Sequence, residues 1–442
     1  MAHEIDTLVR DAVFGEANAK SNARKQIHLQ ARKRGAASSS IYPLYAAIGR
    51  GEGARRFTVP AFNIRALTYD SARALFRAAM RHDVGAFLFE IARSEIGYTE
   101  QRPAEYAACV LAAAMRENFQ GPVFIQGDHF QASAKKWATA EGRAAETKAL
   151  ESLIDEALAA EFYNIDIDTS TLVDLSFPTR DEQQRANYEG TAHLTQYIRV
   201  RQPKGVTISV GGEIGEVGKY NTQPDEVRAY MNGLQRLLEG ATGISKISVQ
   251  TGTSHGGVPL ADGSIAQVKI DFEVLRQTTA ICRKDYGIAG SVQHGASTLP
   301  ESVFNKFPEN EAVEIHLATG FQNMVLDSPS FPADMKREIR DFCFANAADE
   351  RKPGETDEQF VYKTRKKALG PFKRRMWEMP DKSKQPIVAE LEAKFEFLME
   401  KLGVFGTKAI VAKYVRATDV PEYAAASEEL TAAAVVDPNE GE

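Results

Sequence analysis

The chain has 442 residues, 43% of them hydrophobic and 26% charged, a globular composition with ample core and room for one large domain with appendages or two to three smaller ones. A formal net charge of -6 supplies no whole-protein field for nucleic acid, and three scattered cysteines, Cys109, Cys282 and Cys343, exclude a disulfide framework and a thiolate zinc site. The opening Met-Ala-His-Glu-Ile-Asp lacks the pattern of a signal peptide and no stretch approaches the roughly 20 apolar residues that span a bilayer, so the expectation is a soluble, cytoplasmic protein with no membrane partner.

Glu4 to Arg34, charged and free of Pro, reads as helix, with the basic cluster Arg24, Lys25, Arg32, Lys33 and Arg34 on a solvated face. Gly35 to Ser40 reads as a loop, Ile41 to Ile48 as a short helix, and Gly51-Glu-Gly53 closes this prelude. Apolar runs then alternate with amphipathic stretches. Strands are expected at Phe57–Asn63, Val84–Ile91, Val123–Gly127, Phe162–Asp168, Val206–Val210, Lys246–Thr251, Ala289–Gln293 and Ala312–His316. Helices are expected between them at Tyr69–His82, Pro103–Asn118, Ala145–Ala160, Asp181–Arg201, Asp225–Leu238, Asp271–Tyr286 and Pro300–Phe307. After about Phe331 the rhythm stops: Met335–Ala348 and Pro386–Leu402 read as helices, and Phe360–Met376 is a basic run. The Ala- and Glu-rich tail from Pro421 is expected to fray.

Eight strand-then-helix units over about 270 residues match an α/β fold of the (β/α)8 TIM barrel type. The expected organisation is an N-terminal helical segment (1–52), the barrel (53–330) and a helical C-terminal extension (331–442). Such a barrel carries its chemistry at the carboxyl ends of its strands. Those ends hold Asn63, Glu90, Asp128, His129, Asp168, Glu213, His255, His294 and His316, which include four of the eight histidines.

His129, His255 and His294 form a candidate catalytic zinc site, since three protein ligands leave a position open for a substrate oxygen. Zinc there is a Lewis acid suited to stabilising an enediolate. His255 and His294 are each followed by Gly, which lets backbone N–H groups approach an anion, and the Ser297 and Thr298 hydroxyls add donors. Asp128 is the candidate proton donor and acceptor for a substrate hydroxyl. Asp168 and Glu213 are candidates to carry a second divalent or monovalent cation or to orient the histidines. Glu216, Lys219 and Tyr220 lie in a Gly-containing loop that reads as a candidate lid.

Gly127-Asp128-His129, Gly212-Glu-Ile-Gly215, Gly252-Thr-Ser-His-Gly256 and His294-Gly-Ala-Ser297 resemble the signature segments of the class II, zinc-dependent fructose-bisphosphate aldolase family, with Val59-Pro-Ala-Phe-Asn-Ile64 as its opening strand. The resemblance implies a barrel enzyme, dimeric or larger, that reversibly cleaves a phosphorylated ketose. It assigns the hydroxyl proton to Asp128, zinc to His129, His255 and His294, and a second metal to Asp168 and Glu213. Phosphate goes to Gly256, Gly295 and Ser297, and Asn63, Thr298, His316 and Thr319 complete the expected substrate side. Two segments depart from the family. Glu216 is the candidate catalytic residue in place of the family's second acid/base, though out of register with it, and the eighth strand reads Glu314-Ile-His-Leu-Ala-Thr-Gly320, with His316 in place of Asn. The second-strand segment is closer to the accessory subunit of tagatose-bisphosphate aldolase. The expectation is therefore a zinc aldolase acting on a sugar other than fructose 1,6-bisphosphate. A non-catalytic assembly subunit is the alternative, and RNA binding through Lys363 to Arg375 is the least favoured reading.

Overall fold

The computed structural model describes residues 2–52, 56–215, 220–252, 270–297 and 299–416. After a short β1 (Ala36–Ser38), eight apolar segments form β2 (Val59–Asn63), β3 (Leu88–Ala92), β4 (Gly121–Gln131), β5 (Asn164–Asp168), β6 (Ser209–Glu213), β7 (Lys246–Val249), β8 (Ser291–Gln293) and β9 (Glu314–Leu317). All pairings are parallel and each of these eight strands pairs with the next. β9 returns to β2 through Val59↔Glu314 and Phe62↔Leu317, so the sheet closes as a (β/α)8 barrel. Strands buried on both faces need no alternation, which is why their sequences read as continuous apolar runs.

Helices such as Thr68–Arg81, Pro103–Arg116, Arg180–Arg201 and Pro224–Leu238 ring the barrel. Thr179 starts one of them with a capping box: its hydroxyl accepts from Glu182 N while the Glu182 carboxylate reaches back.

Five local features differ from the sequence reading. The Glu4–Arg34 helix is two helices, Ala2–Phe14 and Ala17–Lys33, interrupted at Gly15. Gly35–Ser40 contains β1, which pairs with β4 from Ala36↔Gly121 to Ser38↔Val123. β4 does not stop at Gly127 but runs through Asp128 and His129 to Gln131, and β6 carries Glu213 within it. The helix expected at Asp271–Tyr286 is α-helical over Phe272–Ile281 and continues as a π-turn over Cys282–Tyr286.

The flanking segments share the barrel's hydrophobic core. In the helix Asp381–Lys401, Phe395 packs edge-on against Phe62 of β2 at 5.2 Å and against Phe321 at 5.1 Å. Thr407 Oγ1 accepts from the backbone N–H groups of Gly85 and Ala86, both at 3.1 Å. At the other end of the chain, Tyr69 OH donates to Asp6 Oδ1 at 2.7 Å, and Glu161 receives His28 at 3.0 Å and Arg32 at 2.6 Å. The basic run is largely ion-paired: Lys363 with Glu355, Arg365 with Asp327, Lys367 with Glu350, Lys373 with Glu105 and Arg375 with Glu338. Charges neutralised in this way are poor phosphate ligands. No helix among the described residues is long and apolar enough to cross a membrane.

Candidate active site

The site is set by an irregularity in β4. Its register against β5 shifts between Gly127 and Phe130, a bulge of the kind that re-aims side chains. The Phe130 ring lies 2.5 Å from where a Cβ on Gly127 would sit, so only glycine fits there. His129 takes a left-handed backbone with φ 38°, a conformation non-glycine residues rarely hold unless their surroundings impose it. The bulge delivers both Asp128 and His129 to the cleft at the carboxyl end of the barrel, a cleft also lined by Arg65, Glu90, Ser94, Glu95, His294, Gly295, Ser297, His316 and Thr319.

Three imidazoles from three strand ends gather here. The rings of His129 and His294 are 4.3 Å apart, and those of His294 and His316 are 4.0 Å apart. His129 Nδ1 lies 3.0 Å from Asp168 Oδ2 and 3.4 Å from Glu213 Oε2. Asp128 Oδ1 lies 3.8 Å from His129 Nε2. Burial by itself would push the His129 imidazole toward the neutral form, but the charges of Asp128, Glu213 and Asp168 outweigh it and raise its pKa well above the usual histidine range. Asp168 shows the reverse balance: burial opposes ionisation, yet His129, Ser170 and Gln131 hold its carboxyl below the ordinary value. Glu213 is pushed well up by burial and by the Asp168 charge.

These groups suit a divalent cation. Ligand atoms of His129, Glu213 and His294 all lie within 4.8 Å of one another. Ligands about 2.0–2.2 Å from a tetrahedral zinc stand roughly 3.3–3.6 Å apart, so a small contraction completes the geometry, and nitrogen with carboxylate oxygen is a donor set zinc accepts. Seven carboxylates, Glu90, Glu95, Asp128, Asp166, Asp168, Glu213 and Glu314, are buried in and beneath this cleft, with Arg65 paired to Glu95 and Lys246 to Asp166 and Glu314. Buried charge in surplus is met by pairing or by metal.

The predicted residues divide as follows. Asp128, His129, His294, Gly295, Ser297, His316 and Thr319 line one cleft, and Glu213 stands behind His129. Asp168 is committed: Oδ2 accepts from His129 Nδ1 and Gln131 Nε2, and Oδ1 from the Ser170 N–H and hydroxyl. One of these bonds holds the ring of His129. Asn63 donates to Glu95 Oε2 at 2.7 Å and accepts from Arg65 at 3.3 Å, and both of these partners line the cleft. Tyr220 donates to Glu226 Oε1 at 3.1 Å. His255, Gly256, Glu216, Lys219 and Thr298 lie outside the described residues.

Beneath the cleft is a polar floor that the sequence reading missed. Lys246 Nζ donates to Asp166 Oδ2 at 2.9 Å, to Gln126 Oε1 at 2.8 Å and to Glu314 Oε1. Glu314 also accepts the Tyr45 hydroxyl. Burial works against the ammonium, but Asp166 and Glu314 outweigh it and raise the Lys246 pKa. A lysine held protonated has no lone pair for imine chemistry. The missed signal is one polar residue inside each apolar run: Gln126 in Val123–Gly127, Asp166 in Asn164–Asp168, Lys246 opening β7 and Glu314 opening β9. Arg65, in a loop, and Glu95, in the short helix Arg93–Tyr98, were also missed and carried no periodic signal.

In fold, the chain is similar to the fructuronate-tagaturonate epimerase from Cohnella laeviribosi (13% identity, TM-score 0.55, covering 79% of this chain and 82% of that one). It is also similar to a probable tagatose 6 phosphate kinase from Sinorhizobium meliloti (16% identity, TM-score 0.54, 81% and 99%). The fructose-bisphosphate aldolase of Campylobacter jejuni matches with 17% identity and TM-score 0.47 over 84% of this chain and 97% of that one. No curated protein matches the chain in sequence. The family profile "Fructose-bisphosphate aldolase class-II" matches residues 52–379, most of the chain and the whole of the barrel. With the barrel closed and its profile matched from end to end, the chain belongs to the class II fructose-bisphosphate aldolase family.

Proposed function

We propose that the protein is a zinc-dependent aldolase that reversibly cleaves a phosphorylated ketose, other than fructose 1,6-bisphosphate, to dihydroxyacetone phosphate and an aldehyde. The observation that carries this reading is the convergence of His129, Glu213 and His294 within 4.8 Å, with Asp128 in the same cleft. His129, Glu213 and His294 would hold the zinc, joined by His255 on the family pattern. Bound there, zinc supplies a Lewis acid for the substrate ketone.

The remaining roles fall to the chain's own groups. Asp168 fixes the ring of His129 through Nδ1. Asp128, almost fully buried, takes the hydroxyl proton in cleavage and returns it in condensation. The Ser297 hydroxyl, Gly295 and Thr319 line the cleft where the helix Thr319–Asp327 begins, an arrangement suited to a phosphate. The eighth strand supports a different sugar: His316, Ala318 and Gly320 stand where the family's polar set is expected.

The test is a panel of ketose phosphates incubated with zinc-loaded protein, with release of triose phosphate followed by coupled reduction. The reading expects cleavage of a ketose phosphate that is abolished by chelator and by Asp128→Asn. Absence of cleavage across the panel contradicts it and leaves the non-catalytic assembly subunit.

A further inference from the structure

A line of polar groups runs from Asp128 through His316, which lines the cleft with it, down to Glu314 in the floor. His316 Nδ1 lies 3.1 Å from Asp128 Oδ1 and 3.0 Å from Glu90 Oε2, and its Nε2 lies 2.7 Å from Glu314 Oε1. Glu314 is itself anchored, accepting from Lys246, from Tyr45 and from Gln126 Nε2 at 3.1 Å. His316 is 5% exposed, Glu314 0% and Lys246 1%, so water does not compete for these contacts.

The geometry fixes what each atom does. Glu314 is pinned by three donors and presents an acceptor to His316, so Nε2–H donates to it. That bond sets the plane of the ring. Nδ1 then faces two carboxylate oxygens, Asp128 Oδ1 and Glu90 Oε2, and only a donor suits that position. His316 belongs to β9 and Asp128 to β4, which are separated in the barrel by β3 and β2. The contact therefore crosses the barrel interior, where neither strand's backbone pairing would supply it.

We propose that His316 is a positioning residue: clamped by Glu314 on one side, it fixes the direction of the Asp128 carboxylate on the other. The proposal rests on Asp128 as the proton carrier of the proposed reaction. Asp128 stands beside a residue with strained backbone, where the register against β5 is broken, and its β3 neighbour, Ala92, carries only a methyl side chain. A carboxylate that must meet a substrate hydroxyl within hydrogen-bond distance loses much of its rate when displaced by about 1 Å, on the order of 100-fold.

Two variants separate positioning from bulk structure. In His316→Asn the amide N–H can stand where Nδ1–H stood and still reach Asp128. In His316→Gln the amide reaches the Nε2 position, keeps Glu314 and withdraws the Nδ1–H donor from Asp128. Crystal structures of both, with zinc added, give the first readout. The Asp128 carboxylate keeps its direction in His316→Asn and turns in His316→Gln. Kinetics on the cleaved ketose phosphate give the second: kcat falls about 100-fold in His316→Gln with KM little changed, and far less in His316→Asn. In an Asp128→Asn background, His316→Gln lowers kcat no further. An unchanged Asp128 direction in both variants, or equal loss of kcat in both, overturns the proposal. If the wild type cleaves no ketose phosphate the proposed function fails, and the crystallographic comparison still decides whether His316 aims Asp128.

Discussion

Lys246 Nζ lies 2.9 Å from Asp166 Oδ2 inside the barrel, and the space this pair occupies is left by a missing side chain on the strand between them. A Cβ on Gly211 would meet Asp166 Oδ1 at 2.3 Å and Lys246 Cε at 3.0 Å. Lys246→Met removes the ammonium that buried Asp166 and Glu314 share and leaves them His316. Removing one partner of a buried pair costs about 3–5 kcal/mol, and urea unfolding should show a loss of that size. A loss below about 1 kcal/mol would mean that water enters the floor and screens the carboxylates.

Gly211→Ala tests the same packing from the other side. The added methyl must displace the carboxylate or the lysine stem, an overpacking change expected to cost about 1–3 kcal/mol. A thermal midpoint equal to wild type would show that the ion pair can move aside without loss.

Asp168 is expected to act on metal through His129. Asp168→Ala frees the Nδ1 side of that ring, and loss of such a supporting carboxylate typically weakens metal affinity about 10–100-fold. Zinc competition against a chromophoric chelator measures it. Asp168→Asn, which keeps an acceptor for Nδ1–H, should fall between the two. Equal affinity in all three proteins would show that the hydrogen bond does not hold the ligand.

Burial first, and the Asp128 charge second, push the Glu90 carboxyl up to about 7. Its folded value lies above its unfolded one, so the stability it contributes is complete below the unfolded pKa and is lost as pH rises through the folded value. Glu90→Gln imitates the protonated form. The metal-free variant should gain on wild type above pH 7 by up to about 3 kcal/mol and show no such gain below about pH 4.5. Stability curves that stay parallel from pH 4.5 to 8.5 would contradict this.

Phe395 joins the C-terminal helix to the barrel through Phe62 and Phe321. Phe395→Ala should cost about 3–5 kcal/mol in a single cooperative transition. A separate early transition would show that the extension unfolds on its own.

The barrel was legible because parallel strands are apolar on both faces and their amphipathic helices keep a regular period. The cleft was legible because Asp128, His129, Glu213, His294 and His316 fall at the ends of such runs. The floor was not. Lys246, Asp166 and Glu314 sit inside or at the start of strands, where single charged residues look like flaws in an apolar pattern until their partners, distant in sequence, are seen together. Asn63 falls at a strand end as read, but nothing in the sequence pattern signals that its amide bonds to Glu95 of the short helix Arg93–Tyr98. The β4 bulge is likewise invisible to a period-two reading, which ends the strand at Gly127.

The most direct test of the metal-dependent reading is zinc content by mass spectrometry on purified wild type and on His129→Ala, Glu213→Ala and His294→Ala. About one zinc per chain in the wild type, lost or much reduced in each variant, is the predicted result for a three-ligand centre with an open position. A wild type that takes up no zinc after reconstitution, or variants that retain it in full, would contradict the account.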